Sequence, residues 1–304
     1  MILAMKLFPS ILAKESIKAR EYLAQAFYQY FRAGHHEEGS GLVQARWNHS
    51  KEHKIADDRD IARFEIGGAF AVLSNTIPTA FWTLFHIFSD PVVLEDCRRE
   101  VNAVMREQDG ICTVDIDDVK TSCPILLSTF QEVLRFHGVN VATRLVVEDC
   151  YLNDQYLLKK DSLVMIPGPV QHFDTSVWGN TTGSFDHKRF VRTAGAKRPN
   201  PAAFRAFGGG HVLCPGRHFA TTEVLAMVAM TVTRFDIRPT SGDWITPTSN
   251  NSPMSAAVAV PDNDILCNIV PRSNKQWRFI VSRSNKTIGI VAEDINAGEG
   301  EKLP

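Results

Sequence analysis

The stretch Asp57–Ser89 constrains the fold most. It opens with Asp57, Asp58 and Asp60, acids suited to a helix N-terminus, and continues as IGGAFAVLSNTIPTAFWTLFHIF, apolar on every side. A helix apolar all round is predicted to run through the middle of a domain and not along its surface. It therefore needs a shell of other elements, and 304 residues suffice for one large domain or two ordinary ones. Two features interrupt the pattern. Gly67-Gly68 removes side-chain bulk, and Pro78 deletes a helix hydrogen bond, which predicts a kink or a widened turn. The polar trio Ser74-Asn75-Thr76 just before it has two readings: local back-bonding within a packed helix, or a hydrogen-bonding notch over a cofactor.

The rest of the chain reads as predominantly helical. Ile11–Phe31 is amphipathic, with Ala19, Leu23, Phe27 and Phe31 near helical spacing. Val92–Arg106, Pro124–Phe136 and Gly216–Phe235 are further helices, and Asp115–Lys120 is a short acidic turn or helix. Gly34–Lys54 is a polar loop with a short helix; no carboxylate or cysteine pattern organises its His35, His36, His49 and His53 into a metal site, and they read as solvated surface. Val139–Val147 is β-rich, Tyr151–Pro167 reads as a hairpin turning at Lys159-Lys160-Asp161, and short β runs follow Asp236 up to Trp277–Val281. Thr175–Pro201 is mostly loop. The order does not alternate as βαβ, so the class is α+β, mainly α. Residues 1–290 form the domain, and the polar stretch 291–304 is expected to be a disordered tail.

Composition narrows the function. A net charge of -1 provides no general attraction for nucleic acid or an anionic membrane. The six cysteines lie far apart with no CxxC pair, which argues against a disulfide framework or a zinc site and for reduced thiols. The N-terminal MILAMKLFPSILAK is interrupted by Lys6 and Pro9, is too short to span a bilayer and lacks the layout of a signal peptide; no other stretch reaches the length of a span.

Chemistry concentrates in Phe207–Ala220, FGGGHVLCPGRHFA. Three glycines let the backbone turn tightly and approach something flat and bulky. Cys214 precedes a helix whose unpaired N–H groups and macrodipole favour a thiolate. Such a thiolate can be a nucleophile or a metal ligand, and the wide glycine platform favours a large planar cofactor. The pattern Phe-x-x-Gly-x-x-x-Cys-x-Gly, met by Phe207, Gly210, Cys214 and Gly216 with Gly208 in the platform, resembles the haem-thiolate loop of cytochrome P450 enzymes.

Three other motifs carry the resemblance and stand with the cysteine loop in the family's order: Asn75-Thr76, Glu132-x-x-Arg135 and Arg189-Phe190. Glu132 and Arg135 share a helix face, as either a surface ion pair or a buried one that needs a further partner. They resemble the Glu-x-x-Arg motif of the family, which implies completion by Arg189 of Phe185-Asp-His-Lys-Arg189-Phe190 into a structural network under the cysteine loop. Arg144 in VATRLVVEDC reads as an edge-strand surface arginine or, by resemblance, as a haem-propionate partner. Asn75-Thr76 matches the family's acid/amide–alcohol pair, with Thr76 steering protons to bound dioxygen. The Asn-Thr-Ile-Pro form is similar to the sterol 7-hydroxylase and prostacyclin synthase branch, which has fungal members and also contains isomerases. Val212 stands where the family often has a propionate-binding Arg or His, so haem retention would lean on Arg144.

The resemblance spans roughly Ile11 to Val281. It implies a helix-rich cytochrome P450 fold with small β-sheets and its N-terminal portion missing, haem b held by Cys214, a lipophilic small-molecule substrate and an NADPH-dependent reductase docking near Arg217. It also implies the cytosolic face of the endoplasmic reticulum membrane, reached only through an absent N-terminal anchor. Apolar side chains such as Phe70, Val72, Leu73 and Val139 would line the substrate pocket. The competing readings are a haem-thiolate isomerase, a non-catalytic remnant, and a cysteine hydrolase pairing Cys214 with His211 or His218, although sequence neighbours rarely form such dyads.

Overall fold

The computed structural model describes residues 13–55, 57–192, 200–253, 255–282, 290, 291 and 294. The expectations for the first twelve residues therefore lie outside the described part. The chain divides into two compact units, Met1–Asn75 and Thr76–Pro304.

The first unit holds α1 (Lys14–Arg32), α2 (Gly41–Glu52) and the beginning of α3 (Asp58–Ser89). Ser40 caps α2 by accepting the Val43 N–H at 3.4 Å. A small core forms from Phe31, Ile61 and Ala62, with Trp47 stacked 4.6 Å from Phe31. His36 belongs to this core and not to the solvated surface expected for it: it is 8% exposed and packs 4.4 Å from Trp47. Gly68 also has a concrete role. A Cβ there would lie 2.3 Å from the Arg46 guanidinium carbon, and Arg46 Nε donates to both Glu65 carboxylate oxygens at 2.9 and 3.0 Å.

The second unit begins within α3 and continues through α4 (Pro91–Val104), β1 (Arg106–Gln108), β2 (Ile111–Asp115), α5 (Ile116–Ser122) and α6 (Pro124–Phe136). Asp90 caps α4 by accepting the Val92 N–H at 2.8 Å, and Asp115 caps α5 through the Asp117 N–H at 3.0 Å. Next come β3 (Val141–Leu145), β4 (Cys150–Leu152), β5 (Tyr156–Leu158), β6 (Leu163–Pro167), α7 (Gly168–His172) and α8 (Thr175–Trp178). After the cysteine loop, α9 (Arg217–Arg234) leads to β7 (Phe235–Pro239), β8 (Cys267–Pro271) and β9 (Gln276–Ile280).

The strands revise two expectations. Tyr151–Pro167 is not one hairpin. β4 pairs with β5 across Asn153 and Asp154, both left-handed at φ 53° and 55°, while β6 pairs antiparallel with β3. Two successive left-handed residues suit a tight hairpin turn, so Asn153-Asp154 joins β4 to β5. The chain turns at Lys159–Ser162 as well, with the Ser162 N–H on the Lys159 carbonyl at 3.1 Å, but there it passes from β5 to the separate pair β3–β6. The pair β1–β2, turning at Asp109 and Gly110, was not expected either; β9 joins it by parallel pairing from 165 positions along, as in Ile111 opposite Gln276.

The core of this unit packs α4, α6 and α9 around Cys97, Val101, Leu126, Phe130, Val133, Val224, Val228 and Val232, with Trp82 and Phe85 from α3. The helix buried on all sides is α6, where every residue from Ser128 to Arg135 is buried. Apart from Ile61 and Ala62, α3 meets its expected burial only from Pro78 onward; Phe70, Leu73 and Ile77 are more than half exposed. Among the described residues no single helix is long and apolar enough to cross a membrane.

Buried histidines couple this core to pH. His86 and His137 meet Nε2 to Nε2 at 2.9 Å, His86 stacks 3.6 Å from Phe185, and Trp82 stacks 3.9 Å from His137 while donating its indole N–H to the Ala259 carbonyl at 2.7 Å. Burial lowers His86 from 6.5 to about 4 and His137 to about 3. Below pH 6.5 the unfolded chain therefore binds protons that the folded core refuses, so stability falls as pH drops toward 4. From pH 7 to pH 5 each histidine is expected to remove about 2 kcal/mol. Urea titrations followed by tryptophan fluorescence at the two pH values check this, and His86→Gln should remove only its own share, about 2 kcal/mol, because His172 is lowered to about 4 as well.

Candidate functional site

The second unit is tied together by a dry ion network. Glu132 and Arg135 have no exposed side-chain surface. Arg135 Nε and Nη2 donate to Glu132 Oε2 and Oε1, both at 2.7 Å, and Arg189 Nε donates to Oε1 at 2.9 Å. The Asp186 N–H adds a further bond to the same carboxylate at 3.1 Å. One carboxylate cannot balance two guanidinium groups, so carbonyl dipoles complete the job. Arg135 Nη1 donates to His172 O at 2.7 Å, and Arg189 Nη2 donates to Thr181 O and Ser184 O at 3.0 and 2.9 Å. The three residues expected to form a network are thus brought together.

From this network a path leads to the cysteine. The His172 ring, buried completely, contacts Arg135 O through Nδ1 at 3.1 Å and receives the Arg205 N–H on Nε2 at 3.0 Å. The Arg205 carbonyl accepts from Asn140 Nδ2 at 3.0 Å and from the Gly208 N–H at 3.1 Å. Sequence reasoning missed His172 and Asn140, since neither belongs to a pattern of its own. Two residues beyond Arg205, the Phe207 carbonyl accepts the Cys214 N–H at 2.9 Å and closes the loop.

Inside the loop, Gly208 and Gly210 have φ of 82° and 61°, a region that side chains rarely adopt. Gly208 is constrained twice, because a Cβ would sit 2.9 Å from the Val212 carbonyl oxygen. Cys214 is half-buried, two residues before the Gly216 N-cap of α9. Arg217 Nη1 donates to Cys214 O at 3.2 Å, and Nε and Nη2 reach Asp294 at 3.0 and 2.6 Å. Burial raises the Asp294 pKa, but the Arg217 bonds and the Ile290 N–H outweigh it and hold the carboxylate below its ordinary value. The charge of Arg217, expected near the reductase-docking surface, is paired with Asp294 in this structure. Of the residues counted with the disordered tail, Val291 is buried and Asp294 is half-buried with its side chain 3% exposed; the others lie outside the described part. His218 lies 3.5 Å from Asp294, and among the described residues no hydrogen bond joins it to Cys214. The His211 side chain lies outside the described part.

The donor set fits a flat, apolar group with acidic edges. A half-buried thiol stands at a helix N-terminus, beside a glycine cradle that admits no Cβ at Gly208. Val212 and Phe219, flanking Cys214, leave 61% and 52% of their surface uncovered. Arg144 is exposed and donates only to the Thr143 carbonyl at 2.8 Å, with no acidic partner among the described residues. Asn75 and Thr76 are half-buried on α3, next to a Ser74 hydroxyl that is buried without a partner among the described residues.

The network and the exposed arginine should respond oppositely to truncation. Glu132→Ala leaves two guanidinium groups unpaired in the core and is expected to cost about 3–5 kcal/mol. Arg144→Ala should stay within about 0.5 kcal/mol. Denaturant titration of the two variants beside the parent chain reads the contrast directly.

The comparisons with known proteins agree with this geometry. The family model described as Cytochrome P450 matches residues 2–268. A cytochrome P450 monooxygenase, nodJ, of Hypoxylon pulicicidum is 36% identical over 299 residues, 93% of this chain and 58% of the relative. A cytochrome P450 monooxygenase of Gibberella zeae is 33% identical over 74% of this chain and 46% of its own. The cholesterol 7-alpha-monooxygenase of Cricetulus griseus is 24% identical over 86% of this chain and 56% of its own. The chain spans about half the length of these relatives. A cysteine loop anchored through Arg205 to a buried Glu-x-x-Arg network, within a mainly helical unit carrying small sheets, meets a family match over most of the sequence: the chain belongs to the cytochrome P450 family.

Proposed function

We propose that this chain carries the cysteine-ligand side of a haem-thiolate monooxygenase. The whole enzyme inserts one oxygen atom of O2 into a lipophilic small molecule, using electrons passed from NADPH through a separate reductase. The observation that carries this reading is the Cys214 loop, closed on Phe207 and opening α9. Haem b is the cofactor, and when bound it supplies oxygen activation, which an anionic sulfur ligand favours.

The chain's own residues have separate tasks. Cys214 supplies the thiolate, two residues before the Gly216 N-cap of α9. Phe207, Gly208, Gly210 and Gly216 form the platform against which a flat ring rests. Arg144 offers a fork for a propionate, in place of the basic side chain that Val212 does not provide. Thr76, with Asn75 beside it, holds a proton-bearing hydroxyl on α3. Asn75 in place of an acid also supports an isomerase as the second reading, which would turn over a peroxide without NADPH. The names of the sterol-oxidising relatives support a lipophilic substrate; the endoplasmic reticulum membrane is the proposed place of work.

The test is the reduced carbon-monoxide spectrum of the haem-reconstituted chain. A strongly red-shifted Soret band is expected, and Cys214→Ser should abolish it. Thr76→Ala should keep the band and lower NADPH-driven product formation on the order of 10²-fold. Absence of the red-shifted band in the parent chain would count against the monooxygenase and for a non-catalytic remnant.

A further inference from the structure

We infer that His172 is a positioning residue for Cys214, acting through the Arg205 peptide. The inference rests on Cys214 being the haem ligand. An amide N–H can only donate, so His172 Nε2, which faces the Arg205 N–H at 3.0 Å, must present its lone pair. The ring proton then sits on Nδ1 and points to the Arg135 carbonyl at 3.1 Å. Both nitrogens are thereby assigned by their partners. The ring has no freedom to leave this arrangement. It is fully buried, lies 5.7 Å from the Phe204 ring, and is approached so closely at Gly138 that a Cβ there would be 3.1 Å from Nδ1.

What this holds is the start of the cysteine loop. The Arg205 backbone is fixed at its N–H by His172 and at its carbonyl, in the next peptide, by Asn140 and Gly208. Phe207, two residues on, carries the carbonyl that receives the Cys214 N–H. His172 is thus the element through which the rigid Glu132–Arg135 core sets where the sulfur lies. The network does not need the imidazole in return: Glu132 and Arg135 bond each other directly, and Arg135 reaches the His172 backbone carbonyl, which any residue supplies. A substitution of the ring should therefore loosen the loop more than the core, and small errors in the position of a reacting group have large consequences.

Two variants separate the two nitrogens. Asn at this position places an amide nitrogen near Nδ1 and loses the acceptor for Arg205. Gln reaches the Nε2 position with its oxygen and keeps that acceptor. Both are compared with the parent chain by the ferrous carbon-monoxide spectrum after haem reconstitution, and by amide hydrogen exchange across residues 204–208 in the haem-free chain. His172→Gln is expected to retain most of the red-shifted band and the parent exchange rate. His172→Asn is expected to exchange about 10-fold faster across this segment and to lose most of the band, with both variants melting at similar temperatures. Equal behaviour of the two variants, in either direction, overturns the inference. Should neither variant fold, the Arg205 amide of the parent chain decides: protection comparable to α6 supports the anchor, and a loop-like rate overturns it. A parent chain with a protected Arg205 amide but no red-shifted band would sink the haem-ligand reading of Cys214, and the exchange contrast would then judge the anchor alone.

Discussion

One guanidinium and one carboxylate sealed from water on α6, joined by the largely covered Arg189 from the segment that follows α8, are the constraint from which the rest of the second unit follows. Buried charge is tolerated only when every lone pair and proton finds a partner. Glu132 answers both arginines, and the remaining donors must collect carbonyl oxygens from His172, Thr181 and Ser184. That demand orders a stretch with little regular secondary structure of its own. Between Gly179 and Phe190 the chain follows the positions at which Arg189 and Arg135 find acceptors, and the Phe190 N–H closes back on Ser128 Oγ at 2.9 Å. Salt and hydrogen bonds here specify a path for the backbone, with hydrophobic burial around them supplying the stabilisation.

The cysteine loop inherits its position from this arrangement. Left-handed glycines alone would make a loop that turns but does not stay put. The bonds at Arg205 fasten one end, and the α9 N-terminus, with Arg217 drawn onto Asp294, fastens the other. A half-buried thiol between two fixed ends is the arrangement a metal ligand needs, because a ligand that wanders loses its metal to solvent.

Elements with local signals were legible in the sequence. α6 matches its expected bounds, α4 starts where Asp90-Pro91 says it should, and the helix after the cysteine runs as its pattern requires. Centrality was not legible. The hydropathy of α3 marked it as the buried helix, yet its first half exposes Phe70 and Leu73. α6, which carries Ser128, Thr129, Gln131, Glu132 and Arg135, is buried on every side. Hydropathy reads the cost of burying a polar side chain but not the partner that removes the cost. The hairpin error has the same character on a shorter scale: Asn153-Asp154 and Lys159–Asp161 both turn the chain, and the pairing of β6 with β3 decided which of the two closes a hairpin.

By itself the sequence determined the family motifs, the helices and the cysteine that opens α9, because caps, periodicity and left-handed glycines act through bonds between near neighbours. Only the tertiary structure decided the parallel pairing of β2 with β9, the bond from Gln131 to Ile290 across 159 positions, and the burial of His172 between Arg135 and Arg205. Those choices depend on which distant group arrives to satisfy a donor or acceptor, and a local pattern cannot carry that information.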